Sequence, residues 1–161
     1  MRMLWLVVAV IALSITGTSM RAEQTAMAGG DARFVGTWRL VSIAGEEGGD
    51  PRGEHPKGVI YYDATGHMAA QIMPERPRPK YAAAQPTPEG AKAAVTGYTA
   101  YFGTYTVDTR AGTVAHHREG SINPGQVGVD AVRAFRFETP DTLILTPIEN
   151  PKTHLTWQRI R

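Results

Sequence analysis

The pattern of hydrophobic and polar positions predicts a chain built almost entirely of β-strands. Short runs of β-branched, aromatic and apolar residues recur along it, separated by runs rich in Gly, Pro, Asp and Asn. The first kind of run fits a half-buried strand and the second supplies turns. Most strands are neighbours in sequence, which is typical of an antiparallel meander that closes as a barrel or splits into a sandwich. We expect eight strands, at residues 34–44, 59–62, 67–73, 101–107, 113–122, 132–138, 143–148 and 154–160.

One segment between the third and fourth strands departs from this pattern. Residues 74–88 contain five prolines, which fix φ and remove backbone donors, so no sheet strand is expected there. Thr87, Pro88 and Glu89 then resemble a helix start, with an N-cap, a first-position proline and an acidic residue at the positive end of the dipole. We therefore predict one short amphipathic helix to about residue 100, either packed on the sheet or lying over a barrel mouth as a lid.

The first 28 residues have the features of a secretory signal peptide. Arg2 precedes an apolar run at residues 4–15, and the small-x-small pattern at residues 26–28 fits a cleavage site better than residues 17–19 do. The apolar run is shorter than the roughly 20 residues that a membrane-spanning helix needs. We expect a mature domain at residues 29–161, exported to the periplasm or secreted, with no stable membrane insertion. An uncleaved anchor is the alternative.

Composition excludes several classes of function. The chain has no cysteine, which rules out disulfides, thiolate metal ligands and a cysteine nucleophile. Removal of Arg2, Arg21 and Glu23 with the first 28 residues lowers the formal net charge from +2 to +1, so we expect no nucleic-acid partner. The sequence also lacks a phosphate loop, a dinucleotide fingerprint and a Gly-x-Ser-x-Gly nucleophile motif.

Four ordered blocks of sequence resemble the bacterial lipocalin-like domain family, within the calycins. The resemblance covers roughly residues 33–161, nearly all of the predicted mature chain. It implies an all-β, eight-stranded antiparallel barrel with an internal cavity for a small molecule. The blocks lie at residues 35–42 (VGTWRLVS), 66–73 (GHMAAQIM), 98–105 (YTAYFGTY) and 112–121 (GTVAHHREGS).

The same resemblance implies how the barrel closes. In lipocalins a Trp closes the barrel floor and an Arg from a late strand packs over it, and the matching positions here are Trp38 and Arg159, with Gly36 beside the Trp. Lipocalins proper place their helix after the barrel strands, whereas this sequence places it between strands three and four. Because of this difference, we take from the resemblance the barrel architecture and a general expectation of ligand binding, but no particular ligand.

Alternation of faces along the strands selects candidate ligand-binding residues. Tyr101 and Tyr105 share the more apolar face of the fourth strand, and Arg133 shares a face with Phe135 on the sixth. An inward Arg needs a negative partner, because an unpaired buried charge is unfavourable. Glu119 is the natural internal partner, and a ligand carboxylate is the alternative.

Histidine and amide side chains add further candidates. His116 and His117 are adjacent in a strand and so point to opposite faces, whereas His117 and Glu119 share one and form a possible acid–base pair. No third ligand is placed beside them, so we expect neither a metal nor a cofactor. The predicted ligand-binding set is Gln71, Tyr98, Tyr101, Tyr105, His117, Glu119, Arg133 and Phe135.

Three functions remain open from the sequence. The first, which we favour, is an exported protein that is not an enzyme and binds a small apolar or amphipathic molecule in the barrel, since aromatic walls with few inward polar groups are typical of such pockets. The second is an isomerase, cyclase or hydrolase that uses His117 and Glu119 with Arg133 as an electrostatic partner. The third is a filled barrel with a structural or interaction role, because an eight-stranded barrel is just wide enough to be packed solid.

Overall fold

Eight strands close into one antiparallel barrel in the computed structural model, and each strand pairs with its neighbours in sequence. The structure describes residues 30–45, 49–78 and 80–161, so the predicted signal peptide lies outside the described residues. The eighth strand pairs with the first, which confirms the predicted barrel over a sandwich. The strands are β1 (Gly36–Ala44), β2 (Lys57–Tyr62), β3 (His67–Met73), β4 (Thr99–Asp108), β5 (Thr113–Ser121), β6 (Asp130–Thr139), β7 (Thr142–Pro147) and β8 (His154–Arg159).

The predicted helix is present between β3 and β4 as α1 (Pro88–Val95). The Thr87 hydroxyl accepts a hydrogen bond from the backbone N–H of Gly90 at 3.1 Å, and Pro88 occupies the first turn, as predicted. The helix ends earlier than expected because the backbone of Thr96 is extended. None of its residues is buried, so it adds nothing to the core. Within the described residues, no helix is long and apolar enough to span a membrane.

Aromatic side chains close one end of the barrel, which we call the floor. The Trp38 indole N–H donates to the carbonyl of Phe34 at 2.8 Å, and the Arg159 guanidinium lies 4.0 Å from the centroid of the Trp38 ring. Arg159 also donates to the carbonyl of Val35 at 2.6 Å. Gly36 adopts a φ of +135°, and a Cβ there would lie 2.7 Å from Nη1 of Arg159. Contacts between Arg159 on the last strand and the residues at the start of β1 therefore hold the floor together.

The opposite end of the barrel, which we call the mouth, carries the longer connections. These are residues 45–56 between β1 and β2, residues 74–98 between β3 and β4, and residues 148–153 between β7 and β8. A short 3₁₀ helix, Pro124–Gln126, lies in the connection between β5 and β6 at the same end. The mouth is thus built from loops and α1, whereas tight turns join the strands at the floor.

Candidate functional site

The barrel encloses a cavity of about 200 Å³. Tyr101, Arg133 and Trp157 contribute polar groups to its wall. Aliphatic side chains line the part inside the barrel, since alternate residues of each strand face the core. Further polar residues line it towards the mouth: Arg52, Thr99, Glu149, Asn150 and Thr153. The apolar wall includes Ile43, Ile60, Ala70, Ile72, Leu145 and Leu155.

The lining of the cavity shows at which end of the barrel it lies. It includes Arg52, Glu149 and Asn150 from the connections at the mouth. Trp38 and Tyr62, at the floor, are 0% exposed and do not line it. The cavity therefore lies at the mouth end of the barrel.

Two residues that line the cavity carry a buried nitrogen donor without a hydrogen-bond partner among the described residues. Nη1 of Arg133 and Nε1 of Trp157 are both buried and unpaired among the described residues. Arg133 comes from β6 and Trp157 from β8, and both line the same cavity. In the sheet, Arg133 pairs with Val114 and Pro147, and Trp157 pairs with Leu143. A buried donor without an acceptor is unfavourable by about 1–3 kcal/mol, so this pair needs an explanation.

A fully buried histidine lies between two tyrosines beside this cavity. Nε2 of His116 is 2.8 Å from the hydroxyl of Tyr62, and Nδ1 is 2.9 Å from the hydroxyl of Tyr101. Burial lowers the pKa of His116 well below its ordinary value of 6.5, and the positive charges of Arg133, Arg118 and His117 lower this pKa further. The imidazole is therefore neutral at physiological pH.

The tyrosine hydroxyl beside it is likewise held uncharged. Burial is the main cause that raises the pKa of Tyr62 well above its ordinary value of 10.0. Tyr62, His116 and Tyr101 thus form one hydrogen-bonded group, and Tyr101 is its member on the cavity wall. The sequence predicts only that His116 and His117 point to opposite faces of β5. The apolar Val114, two residues before His116, is the signal that the His116 face points inward.

Four predicted ligand-binding residues do point into the barrel. Arg133 and Tyr101 line the cavity. Tyr105 and Phe135 lie nearer the floor, where the Phe135 ring packs on Phe34 with centroids 5.0 Å apart. The Tyr105 hydroxyl donates to the carbonyl of Asp63 at 2.8 Å, and burial raises the pKa of Tyr105 to about 12. These last two residues build the floor and do not line the cavity.

His117 and Glu119 lie on the outer surface, which corrects the prediction that they meet Arg133 inside. His117 places Nδ1 2.9 Å from a carboxylate oxygen of Asp130 and Nε2 3.0 Å from the hydroxyl of Thr106. Glu119 is exposed and is the extra residue where the register of β5 shifts against β4. The predicted Glu119–Arg133 ion pair is absent from the described residues, as is a shared site for all three side chains.

Gln71 and Tyr98 also lie outside the barrel, contrary to prediction. Gln71 is exposed and accepts a hydrogen bond from the Tyr98 hydroxyl at 3.1 Å. The physical reason is strand alternation, since Met68, Ala70 and Ile72 face inward on β3 and leave Gln71 on the other face. Tyr98 precedes β4, where the chain has not yet entered the barrel wall.

Two further features bear on the chemistry of the molecule. A groove of about 590 Å³ lies outside the barrel, between residues 78–87 and α1, and its walls are mostly exposed side chains. Among the described residues no group of three or more His, Asp or Glu side chains is arranged to hold a metal ion.

The fold agrees with the family model that matches this chain. Residues 35–160 match the family model of the lipocalin-like domain. Among solved structures, the chain is similar to a lipocalin-like protein from Bacteroides uniformis, with 13% identity and a TM-score of 0.47, over 80% of this chain and 99% of that one. No curated protein sequence matches it. Because the family match runs from just before β1 through β8, the chain belongs to the family of lipocalin-like domains.

Proposed function

We propose that this protein is exported and binds a small apolar or amphipathic molecule in the cavity of its barrel. The observation that carries the proposal is that the barrel is filled at one end only. An eight-stranded barrel is narrow enough for its own side chains to fill. At the floor, Phe34, Trp38, Tyr62, Tyr105 and Phe137 pack against one another. Towards the mouth, small and aliphatic side chains leave about 200 Å³ open.

The size of the cavity limits the molecule it would hold. Pockets for drug-sized ligands measure about 300–1,000 Å³. The enclosed part of the ligand is therefore smaller than a drug, with any longer part extending through the mouth. Its walls favour an apolar body, because burying apolar surface gains about 25 cal/mol per Å².

A pair of neighbouring alanines on β3 tests where a ligand binds. Ala70 lines the cavity and is 3% exposed, whereas Ala69 faces the other way on the same strand. We expect Ala70→Leu to weaken uptake of a fluorescent apolar probe by about tenfold or more, since the added methylenes occupy ligand space. Ala69→Leu serves as the matched control and should leave uptake unchanged.

The same probe separates this proposal from the filled barrel. Native mass spectrometry of the mature wild-type protein, before and after organic extraction, should show an extractable small molecule that competes with the probe. A clean mass with no probe uptake would overturn the proposal and leave a packed barrel with a structural role. Equal losses in Ala70→Leu and Ala69→Leu would place the probe outside the cavity.

Export rests on the sequence features of the first 28 residues and has its own test. We expect the intact mass of protein recovered from the periplasm or medium to begin at Gly29, because residues 26–28 carry the small-x-small pattern. Full-length protein retained in the membrane fraction would support the uncleaved anchor instead.

A further inference from the structure

Two of the residues that line the cavity carry buried donors without acceptors. Nη1 of Arg133 and Nε1 of Trp157 are buried and unpaired among the described residues. Each can only donate, because neither a guanidinium nor an indole N–H accepts a hydrogen bond. Whatever satisfies them must bring acceptor atoms into the cavity.

The hydrogen-bonded group of Tyr62, His116 and Tyr101 supplies a third donor. A neutral imidazole has one N–H and one acceptor nitrogen, so its bonds to two tyrosines use the imidazole N–H and one tyrosine O–H. The tyrosine that accepts from His116 keeps its own O–H free. Tyr62 is 0% exposed and has no further acceptor among the described residues, so a free O–H there would be buried and unpaired. The spare O–H therefore belongs to Tyr101, on the cavity wall.

The charges of the residues that line the cavity also favour a ligand with acceptor atoms and a negative charge. Arg52 also lines it, but the Arg52 guanidinium pairs with the carboxylate of Asp50 at 2.7 Å. Arg133 takes part in none of the ion pairs among the described residues. Glu149 is the only described wall residue with a carboxylate, and it is exposed on the loop at the mouth. Among the described wall residues, Arg133 thus carries a positive charge without a counter-charge.

We propose that the cavity selects small amphipathic molecules with a carboxylate, which Arg133, Trp157 and Tyr101 hold by donating hydrogen bonds to its oxygens. A carboxylate carries about four acceptor positions and a full negative charge, so it satisfies three donors and balances the guanidinium at once. The aliphatic wall then covers the rest of the molecule. This inference rests on the proposed function, because it names the ligand class for that same cavity.

Matched ligands test the inference on the mature wild-type protein. Binding of straight-chain acids from butanoate to decanoate is measured by probe displacement and compared with the alcohols of the same lengths. We expect the best acid to bind at least tenfold more tightly than its alcohol at neutral pH. Equal affinities would overturn the carboxylate inference and leave the proposed function standing. If neither series displaces the probe and no probe enters the barrel, the proposed function fails as well.

Matched variants then assign the selectivity to residues. Arg133→Gln should remove the preference for acid over alcohol, so that the ratio of the two affinities falls by tenfold or more. Arg136→Gln makes the same charge change on the outer, solvent-facing side of β6, where its side chain is 65% exposed, and should leave the preference intact. Trp157→Phe keeps an aromatic ring, removes the N–H, and should reduce the preference by about threefold or more. Selectivity that survives both Arg133→Gln and Trp157→Phe would contradict the assignment.

Discussion

At the scale of single residues, the barrel holds two basic groups in opposite states. His116 is fully buried and hydrogen-bonded by tyrosines on both ring nitrogens, so it stays neutral. Arg133 carries a positive charge on the wall of the neighbouring cavity. The pairing of β5 with β6 places His116 and Arg133 close together. Arg133 pairs with Val114, and His116 is two residues further along β5 on the same face. One residue is stabilised without a ligand, and the other is left without a partner.

Arg133 should therefore lower the stability of the ligand-free protein. We expect Arg133→Met to raise the free energy of unfolding by about 1–3 kcal/mol, because it removes a buried unpaired donor and an unbalanced charge. Urea denaturation of the ligand-free protein measures this. Arg136→Met, on the exposed face of the same strand, should stay within about 0.5 kcal/mol of wild type. A loss of stability in Arg133→Met would show that Arg133 has a structural partner.

His116 should make the protein less stable as the pH falls below neutrality. Its pKa is lowered in the folded state, so between about pH 7 and about pH 5 the unfolded chain takes up a proton that the folded protein excludes. The free energy of unfolding then falls by up to about 1.4 kcal/mol per pH unit. The charged and titratable groups that act on it are Tyr62, Tyr101, Arg118, Arg133 and His117.

Urea unfolding at several pH values measures this slope. His116→Gln keeps a donor and an acceptor but does not titrate, and it should flatten the slope. His67→Gln changes an exposed histidine, with 63% of its side chain accessible, and should leave the slope as in wild type. Hydrogen bonds lower the pKa values of Asp31 and Asp63. These two residues therefore change the free energy of unfolding only in a more acidic range, near their ordinary pKa of 3.8. Identical slopes in wild type and His116→Gln would refute the expectation.

At the scale of elements, hydrogen bonds from two arginines hold α1 to the proline-rich segment that precedes it. None of its residues is buried. Arg76 donates to the carbonyls of Ala93 and Thr96, and Arg78 donates to that of Ala94 at 2.9 Å. These arginines come from the proline-rich segment before the helix and satisfy carbonyls that a helix end leaves unpaired. An element held this way opens at a small fraction of the global unfolding free energy.

Arg76→Met should loosen the helix without unfolding the barrel. We expect amide hydrogen exchange at residues 91–96 to become about fivefold faster or more, since two hydrogen bonds from a charged donor are lost. Exchange in β5 and β6 should stay unchanged. Arg110→Met, on the turn between β4 and β5, serves as the control for loss of a surface cation. If exchange in α1 is unaffected, these contacts do not hold the helix.

At the scale of the whole molecule, one side chain joins the two ends of the barrel sheet. Arg159 on β8 donates to the carbonyls of Val35 and Arg33 before β1 and covers the Trp38 ring on β1. It also lies 3.3 Å from a carboxylate oxygen of Asp141. Closing the barrel removes every sheet edge, so the contacts that secure the β1–β8 seam stabilise the fold as a whole.

Arg159→Met should therefore destabilise the protein strongly. We expect a loss on the order of 3 kcal/mol, because two hydrogen bonds from a charged donor disappear, at about 1.5–3 kcal/mol each before any relaxation. Arg161→Met is the control, since Arg161 contacts the same Asp141 but has 85% of its side chain exposed. Its effect should lie within about 0.5 kcal/mol. Similar losses in both variants would mean that the seam does not depend on Arg159.

Local patterns predicted most of the fold. The third strand was predicted at residues 67–73 and is observed as His67–Met73, and the helix begins at Pro88 with Thr87 as its cap. Both depend on residues adjacent in sequence, through strand alternation and capping chemistry. The end of the helix was missed because it depends on an extended backbone at Thr96, which no strong stop residue announces.

The sequence by itself determined the elements, their order and the all-β class, because these follow from turn chemistry, alternation and the short connections between neighbours. The pattern left a barrel and a sandwich open, and closure was implied only by the family resemblance. Only the tertiary structure decided the site. Gln71, His117 and Glu119 carry suitable chemistry but face outward, and the partner that His116 finds in Tyr62 lies 54 residues away. Which side chains share the interior depends on strand register and bulges, and a cavity exists only where distant side chains fail to fill the barrel.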